Sequence, residues 1–227
     1  MSQQGPLFIA VRFVWRLVRP RWRTQVEQIQ GPCVYICSHS NMAGPLNTLA
    51  WLPFPVRPWV LHVFFNYRSC RRQYADYTFS RRFGYPRWAA EGLALLTAGV
   101  VSRLVRSAAS IPVYRGSVQA AATFRETIQA LERGEAVIIY PDIDYADSSD
   151  EMGEIYRGFL LLERFWRKRH QEPLTFLPIQ MDRKRRTLRS APGLQFDREK
   201  PFEEEADRIQ AALRREINGE GKKGEKL

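Results

Sequence analysis

Short apolar runs of four to ten residues recur along this chain, with helix-length stretches between them. The runs are residues 33–38, 57–65, 111–114, 136–140, 174–181 and 187–196. Continuous apolar character over so few residues predicts strands, and strands buried on both faces belong to parallel sheets. The intervening stretches carry helical signals. Residues 86–107 mix small and large apolar side chains. Ser117 is a good N-cap for a helix that turns Val118, Ala121, Ile128 and Leu131 inward and stops at Gly134. Residues 156–170 read as another helix, and residues 202–217 as a closing amphipathic one. This alternation predicts an α/β fold with a mostly parallel central sheet flanked by helices. A chain of 227 residues suffices for one such domain with a core and a cleft.

Both ends stand apart from that domain. Residues 1–30 are expected to hold a membrane-contacting amphipathic helix, residues 31–217 the α/β domain, and residues 218–227, rich in Gly, Lys and Glu, a disordered tail. Pro6 suits a first helical position, and Pro20 stops the helix. Between them Arg12, Arg16 and Arg19, with Arg23 beyond, form one stripe. Leu7, Phe8, Val11, Phe13, Val14, Trp15, Leu17 and Val18 cover the rest. A wide apolar face, an arginine stripe and a tryptophan suit the surface of an anionic bilayer. A core helix with solvated arginines has the same pattern. The polar start, with Arg12 and Arg16 in the run that follows, does not read as a secretory signal. The longest charge-free stretch, residues 28–56, is broken by four prolines and by Ser38-His39-Ser40-Asn41, so it does not read as a spanning helix.

Charge narrows the partner. Thirty-five basic residues, 29 of them Arg, face 24 acidic ones, a net charge of +11. The excess points to an anionic partner: nucleic acid, a membrane surface or a phosphorylated substrate. Residues 57–115 carry +8, residues 116–163 carry −7 and residues 164–198 carry +7. Arginines interleaved with Tyr74, Tyr77, Phe83, Tyr85 and Trp88 admit an RNA-binding reading, but no nucleic-acid motif accompanies them, and no nucleic acid is expected. Cys33, Cys37 and Cys70 form no paired framework, which fits a reducing compartment.

Sites in α/β sheets gather at the carboxyl ends of the strands. His39, in Ser38-His39-Ser40-Asn41, follows the first apolar strand, where a general base or an ordinary loop histidine are both at home. Arg115, beside Gly116 and after Ile111-Pro112-Val113-Tyr114, can offer a guanidinium and backbone N–H groups to an anion, and fits a solvated turn equally. Tyr140-Pro141-Asp142-Ile143-Asp144 runs into Asp147, Asp150, Glu151 and Glu154, six acids in thirteen residues. That density invites a hard cation, but the spacing lacks the calcium-loop pattern, and no metal is expected. Residues 173–180 form a fourth block, an apolar strand around Pro178.

In this order the four blocks resemble those of the glycerolipid acyltransferases, the family that includes 1-acylglycerol-3-phosphate acyltransferase. The resemblance runs from about residue 32 to 217. It implies a single-domain glycerolipid-acyltransferase-like fold, with His39 as the base that deprotonates an acceptor hydroxyl or amine. The donor is implied to be an acyl thioester, acyl-CoA or acyl-ACP, with no cofactor. Ser38, Asn41, Tyr114, Arg115, Gly116, Tyr145 and Arg157 fall at implied substrate-binding positions. The implied partners are the thioester donor (acyl carrier protein among them), a lipid or small-molecule acceptor and an anionic membrane surface. The protein is then expected to be peripheral on the cytoplasmic face of a membrane.

Two blocks depart from the family pattern. The family's first block has Asp five residues after its His; here that position holds Gly44. In the third block Asp142 stands for Glu, Asp144 for Thr and Tyr145 for Arg. One carboxylate is lost and another gained, so Asp142 or Asp144 is expected to reach His39 in its place. Acids crowding this loop repel a phosphate dianion, so an acceptor less anionic than lysophosphatidate is expected. The rival expectation is a relative that kept the fold as a lipid- or thioester-binding protein and lost the chemistry.

Overall fold

The computed structural model describes residues 4–114, 116, 119–144 and 152–219. Seven strands make one sheet: β1 (Arg23–Gln25), β2 (Cys33–Cys37), β3 (Val56–Leu61), β4 (Ile111–Val113), β5 (Ala136–Ile139), β6 (Thr175–Asp182) and β7 (Thr187–Ser190). Their order is β1-β7-β6-β2-β5-β3-β4. All neighbours are parallel except β6 and β7, which form an antiparallel hairpin. The α/β class and the mostly parallel sheet follow the sequence pattern.

Central β2 is buried on both faces, as its unbroken apolar run requires. Val34 and Ile36 join Val137, Ile139 and Phe176 in one core with Ile128 and Leu131 of α5 (Ala120–Glu132), Leu162 and Trp166 of α6 (Leu161–Trp166), and Ile209 and Leu213 of α7 (Phe202–Ile217). Cys33, Tyr35 and Cys37, alternating to the other face, meet Leu52, Phe54, Ile138, Leu177, Ile179 and Leu188. That second face also receives Leu49 and Trp51 of α2 (Ala43–Trp51).

Some elements differ from the sequence reading. The run at 57–65 leaves the sheet after Leu61 and turns through a 3₁₀ segment, His62–Phe65. The helix expected at 156–170 is a 3₁₀ turn, Arg157–Leu160, followed by α6. The strand expected at 187–196 is continuous only over Thr187–Ser190, and further on Leu194 makes a single bridge back to Phe176 of β6. Ser117, the expected N-cap, lies outside the described residues; Gln119 is the N-cap of α5 and makes no side-chain cap. Gly134, at φ +70°, ends that helix as expected. Residues 220–227, most of the expected tail, also lie outside the described residues.

The N-terminal helix α1 (Pro6–Val18) begins at its proline and buries only Phe8. Its arginines are not a solvated stripe. Arg12 donates to the carbonyls of Ala50 (3.1 Å) and Leu52, and Arg16 donates to Ala50 (2.6 Å). Both guanidiniums thus serve the carboxyl end of α2, where unpaired carbonyls and the negative end of the helix dipole favour cations. The apolar face of α1 is left outward.

Candidate functional site

Because β2, β5, β3 and β4 run parallel, their carboxyl ends share one edge. His39 follows β2 there and Asp142 follows adjacent β5. The register pairs Ile36 with Ile139, so the two loops leave the sheet side by side.

The buried Asp142 carboxylate joins them. One oxygen accepts from Ser38 Oγ at 2.9 Å, and the other accepts from the backbone N–H of His39 at 2.7 Å. Ser38 Oγ also lies 2.9 Å from Ser40 Oγ. Of the two acids expected near His39, Asp142 therefore grips its main chain, and Asp144 stands exposed two residues further on. Asp142 is a positioning residue by this geometry.

The backbone after His39 is unusual. Ser40, Asn41 and Met42 all have positive φ, 39°, 48° and 72°. Non-glycine residues rarely adopt this region, at roughly 1–2 kcal/mol each, and such strain collects at functional sites. Hydrogen bonds hold the turn: Gly44 N–H to the His39 carbonyl at 3.1 Å, Ala43 N–H to the Ser40 carbonyl at 3.0 Å and Met42 N–H to His39 Nδ1 at 3.3 Å. A Cβ on Gly44 would stand 1.8 Å from the carbonyl oxygen of Ser38. The position that holds Asp in the resembled family is thus closed here to any side chain.

The acceptor role of Nδ1 puts the proton of the neutral imidazole on Nε2. Burial, with the positive charge of Arg82, lowers the His39 pKa to about 4. The ring is therefore neutral across the physiological range. Tyr140 meets it edge-on at 6.2 Å, and its hydroxyl lies 2.6 Å from Thr48 Oγ1, tying β5 to α2. Burial pushes the Cys33 and Cys70 thiols up to about 12 and 11, which removes both as nucleophiles near neutral pH.

Arg82 is the site residue that the sequence did not single out. Its Nη2 donates to Asn41 Oδ1 at 2.6 Å. It arrives at the end of a ten-residue π-helix, Gln73–Arg82, that continues α3 (Tyr67–Arg72). There Ser80 Oγ donates to the carbonyl of Ala75, five residues back, at 2.6 Å. π-Helical turns are rare and cluster at functional sites. The arginines interleaved with Tyr74, Tyr77, Phe83, Tyr85 and Trp88 are its trace in the sequence, and no helical repeat of 3.6 there points Arg82 toward Asn41.

The remaining candidates spread along the edge. Tyr114 and Gly116 follow β4, three strands from β2 and so about 14 Å away at normal strand spacing. Tyr114 stacks on His62, which follows β3, with centroids 4.8 Å apart. Arg157 is paired with Glu203 and, at 2.7 Å, with Asp207 of α7. Arg115 and Tyr145 lie outside the described residues. Among the described residues no three His, Cys, Asp or Glu side chains are grouped to hold a metal. Ser38, His39, Asn41 and Asp142 are the expected residues that the fold brings together.

No family model, curated protein or solved structure matches this chain.

Proposed function

We propose that the protein is an acyltransferase of glycerolipid-acyltransferase-like fold, moving a fatty acyl group from a thioester of coenzyme A or acyl carrier protein to a hydroxyl or amine. The observation that carries this reading is a neutral, half-buried His39 at the carboxyl end of the central strand, its main chain fixed by Asp142 from the adjacent one. His39 takes the acceptor's proton while the acceptor oxygen or nitrogen bonds to the thioester carbonyl carbon. The carbon–sulfur bond then breaks, and the departing thiolate takes the proton from the imidazolium. If Nε2 is the base, its resting proton must first move to Nδ1, which requires the Met42 N–H contact to open. Arg82, with Asn41, supplies a cation for a donor phosphate. The acceptor is a less anionic lipid or small molecule than lysophosphatidate, and the protein works peripherally on the cytoplasmic face of an anionic membrane without a cofactor.

Acyl transfer from both thioesters into a total lipid extract, followed by mass spectrometry, tests this. His39→Ala is expected to abolish the new acylated species while the fold persists. Products that survive the substitution remove His39 from the chemistry. A second reading, a thioester- or lipid-binding protein without turnover, draws on the Nδ1 atom being held by a main-chain N–H and on the closed Gly44 position. It predicts donor binding with no product in either protein.

The pH profile gives an independent check. Only neutral His39 can accept a proton, and its lowered pKa keeps it neutral down to about 4. The acid limb of kcat/KM is expected near pH 4, not near the usual histidine value of about 6.5. Arg82→Gln removes the smaller of the two causes. The limb should then move part of the way upward, with the His39 ring resonances in NMR moving alongside it. An unshifted limb in this variant disconnects Arg82 from the His39 ring.

A further inference from the structure

Two helices of this protein are inside out. The long helix α4 (Arg87–Ser107) packs on the body through a stripe of small residues, Ala90, Ala94, Ala98 and Ser102, all buried. Its large apolar side chains face away: Trp88 is 80% exposed and Leu96 76%, with Leu95 and Val100 beside them. Helix α1 does the same. Arg12 and Arg16 turn inward onto α2, while Phe13 (62%) and Leu17 (69%) point outward with Ile9, Val14 and Val18. Water-facing helices show the opposite arrangement. The two helices touch: Gly5 N–H donates to the Ser107 carbonyl at 2.6 Å, and Phe8 N–H to Ser107 Oγ at 2.9 Å.

We propose that α1 and α4 together form one apolar plane that lies in the surface of an anionic bilayer, with α4 flat in the interface. This deepens the membrane part of the proposed function and is independent of acyl transfer. Helix α4 has the length and apolarity of a span, about 31 Å. Both its ends are nevertheless fastened to the same folded body. Before it, Arg82 holds Asn41 and the Tyr85 N–H donates to the Phe79 carbonyl at 2.9 Å. After it, buried Ala108 and Ser110 lead straight into β4. A helix tied at both ends to one domain lies along the bilayer and does not cross it.

Charge selects the bilayer over a second copy of this chain. Exposed Arg87 and Arg103 flank the apolar stripe of α4. Exposed Arg19, Arg21 and Arg23 follow α1. Arg23 N–H donates to the Arg186 carbonyl at 2.9 Å, which brings in the exposed hairpin turn Arg183, Lys184, Arg185 and Arg186. Among the described residues, Glu91 pairs with Arg87 and Asp182 with Arg185. Two copies face to face would oppose like charges, whereas anionic headgroups complement them. The plane also starts at the site, because only residues 83–86 separate Arg82 from α4.

The test is flotation of the full-length protein with vesicles of phosphatidylcholine alone or mixed with phosphatidylglycerol, without any acyl donor. Mixed vesicles should bind the protein more tightly, and raised salt should reduce that margin. Phe13→Glu and Leu96→Glu, both at exposed positions, should each weaken binding by about tenfold or more, with unchanged circular dichroism. Wild-type binding by the Leu96 variant removes α4 from the contact and overturns the two-helix plane. Equal binding to both vesicle types overturns the anionic preference. A wild-type dimer that both variants convert to monomer, with no vesicle binding, assigns the plane to a second copy and overturns the proposal. An acyl-transfer assay that fails while these results hold refutes the chemistry alone.

Discussion

Gly44→Ala is expected to cost about 3 kcal/mol or more of stability and at least a hundredfold in His39-dependent turnover. One methyl group does this because of what it meets. Its carbon would stand 1.8 Å from the Ser38 carbonyl oxygen and 2.9 Å from the carbonyl carbon, and both are backbone. No side chain can swing aside; the end of β2 or the start of α2 must move. Overpacking of ordinary cores costs about 1–3 kcal/mol, and here the displaced segment also holds three left-handed residues in place. Moving His39 by about 1 Å is enough for a hundredfold loss in rate. Gly44→Asp should do no better, although it restores the residue of the resembled family. Gly92→Ala is the control. Gly92 is exposed in α4 with nothing within 4 Å of an added Cβ, so alanine there should stabilise by up to about 1 kcal/mol. Urea midpoints and turnover of the three variants decide the matter. Wild-type behaviour of Gly44→Ala would falsify the turn geometry on which the site rests.

The sequence showed the sheet because its strands are buried on both faces and so are apolar throughout. It showed α7 because Ala206, Ile209, Leu213 and Ile217 recur at helical spacing. Other elements carry no such signal. Strand β1 is Arg23, Thr24 and Gln25, polar residues that pair because β7 offers them its open edge. Helix α2 has no capping side chain, begins after left-handed Met42 and carries Pro45 in its first turn. The π-helix has no 3.6-residue repeat to read.

The site was legible in part for the same reason. His39 is legible because it follows an apolar strand, and Asp142 because it opens a dense acidic run at the third block of the resembled family. That the carboxylate takes the main chain of His39 and the hydroxyl of Ser38 depends on the β2–β5 register, which composition does not encode. The inward turn of Arg12 and Arg16 was also invisible: an arginine stripe looks the same whether it faces water or the carbonyls of another helix.

Asp142→Ala is expected to cost about 2–4 kcal/mol and to remove activity, because it leaves the His39 N–H and the Ser38 hydroxyl buried without their charged acceptor. Asp142→Asn separates geometry from charge. Its amide oxygen can accept from the His39 N–H. Its NH₂ can donate to Ser38 Oγ, whose own proton then goes to Ser40 Oγ at 2.9 Å. The hydrogen bonds survive, so Asn should stay within about 1 kcal/mol of wild type. The negative charge does not survive. A carboxylate bonded to the His39 main chain favours the imidazolium, although burial and Arg82 outweigh it in setting the pKa of the ring. Turnover in the Asn variant should therefore fall by about tenfold, mainly in kcat, since the charge matters only once the ring has taken the proton. A kcat equal to wild type would confine Asp142 to fixing the backbone. A large loss of stability in the Asn variant would show that the hydroxyl chain through Ser38 and Ser40 cannot reverse.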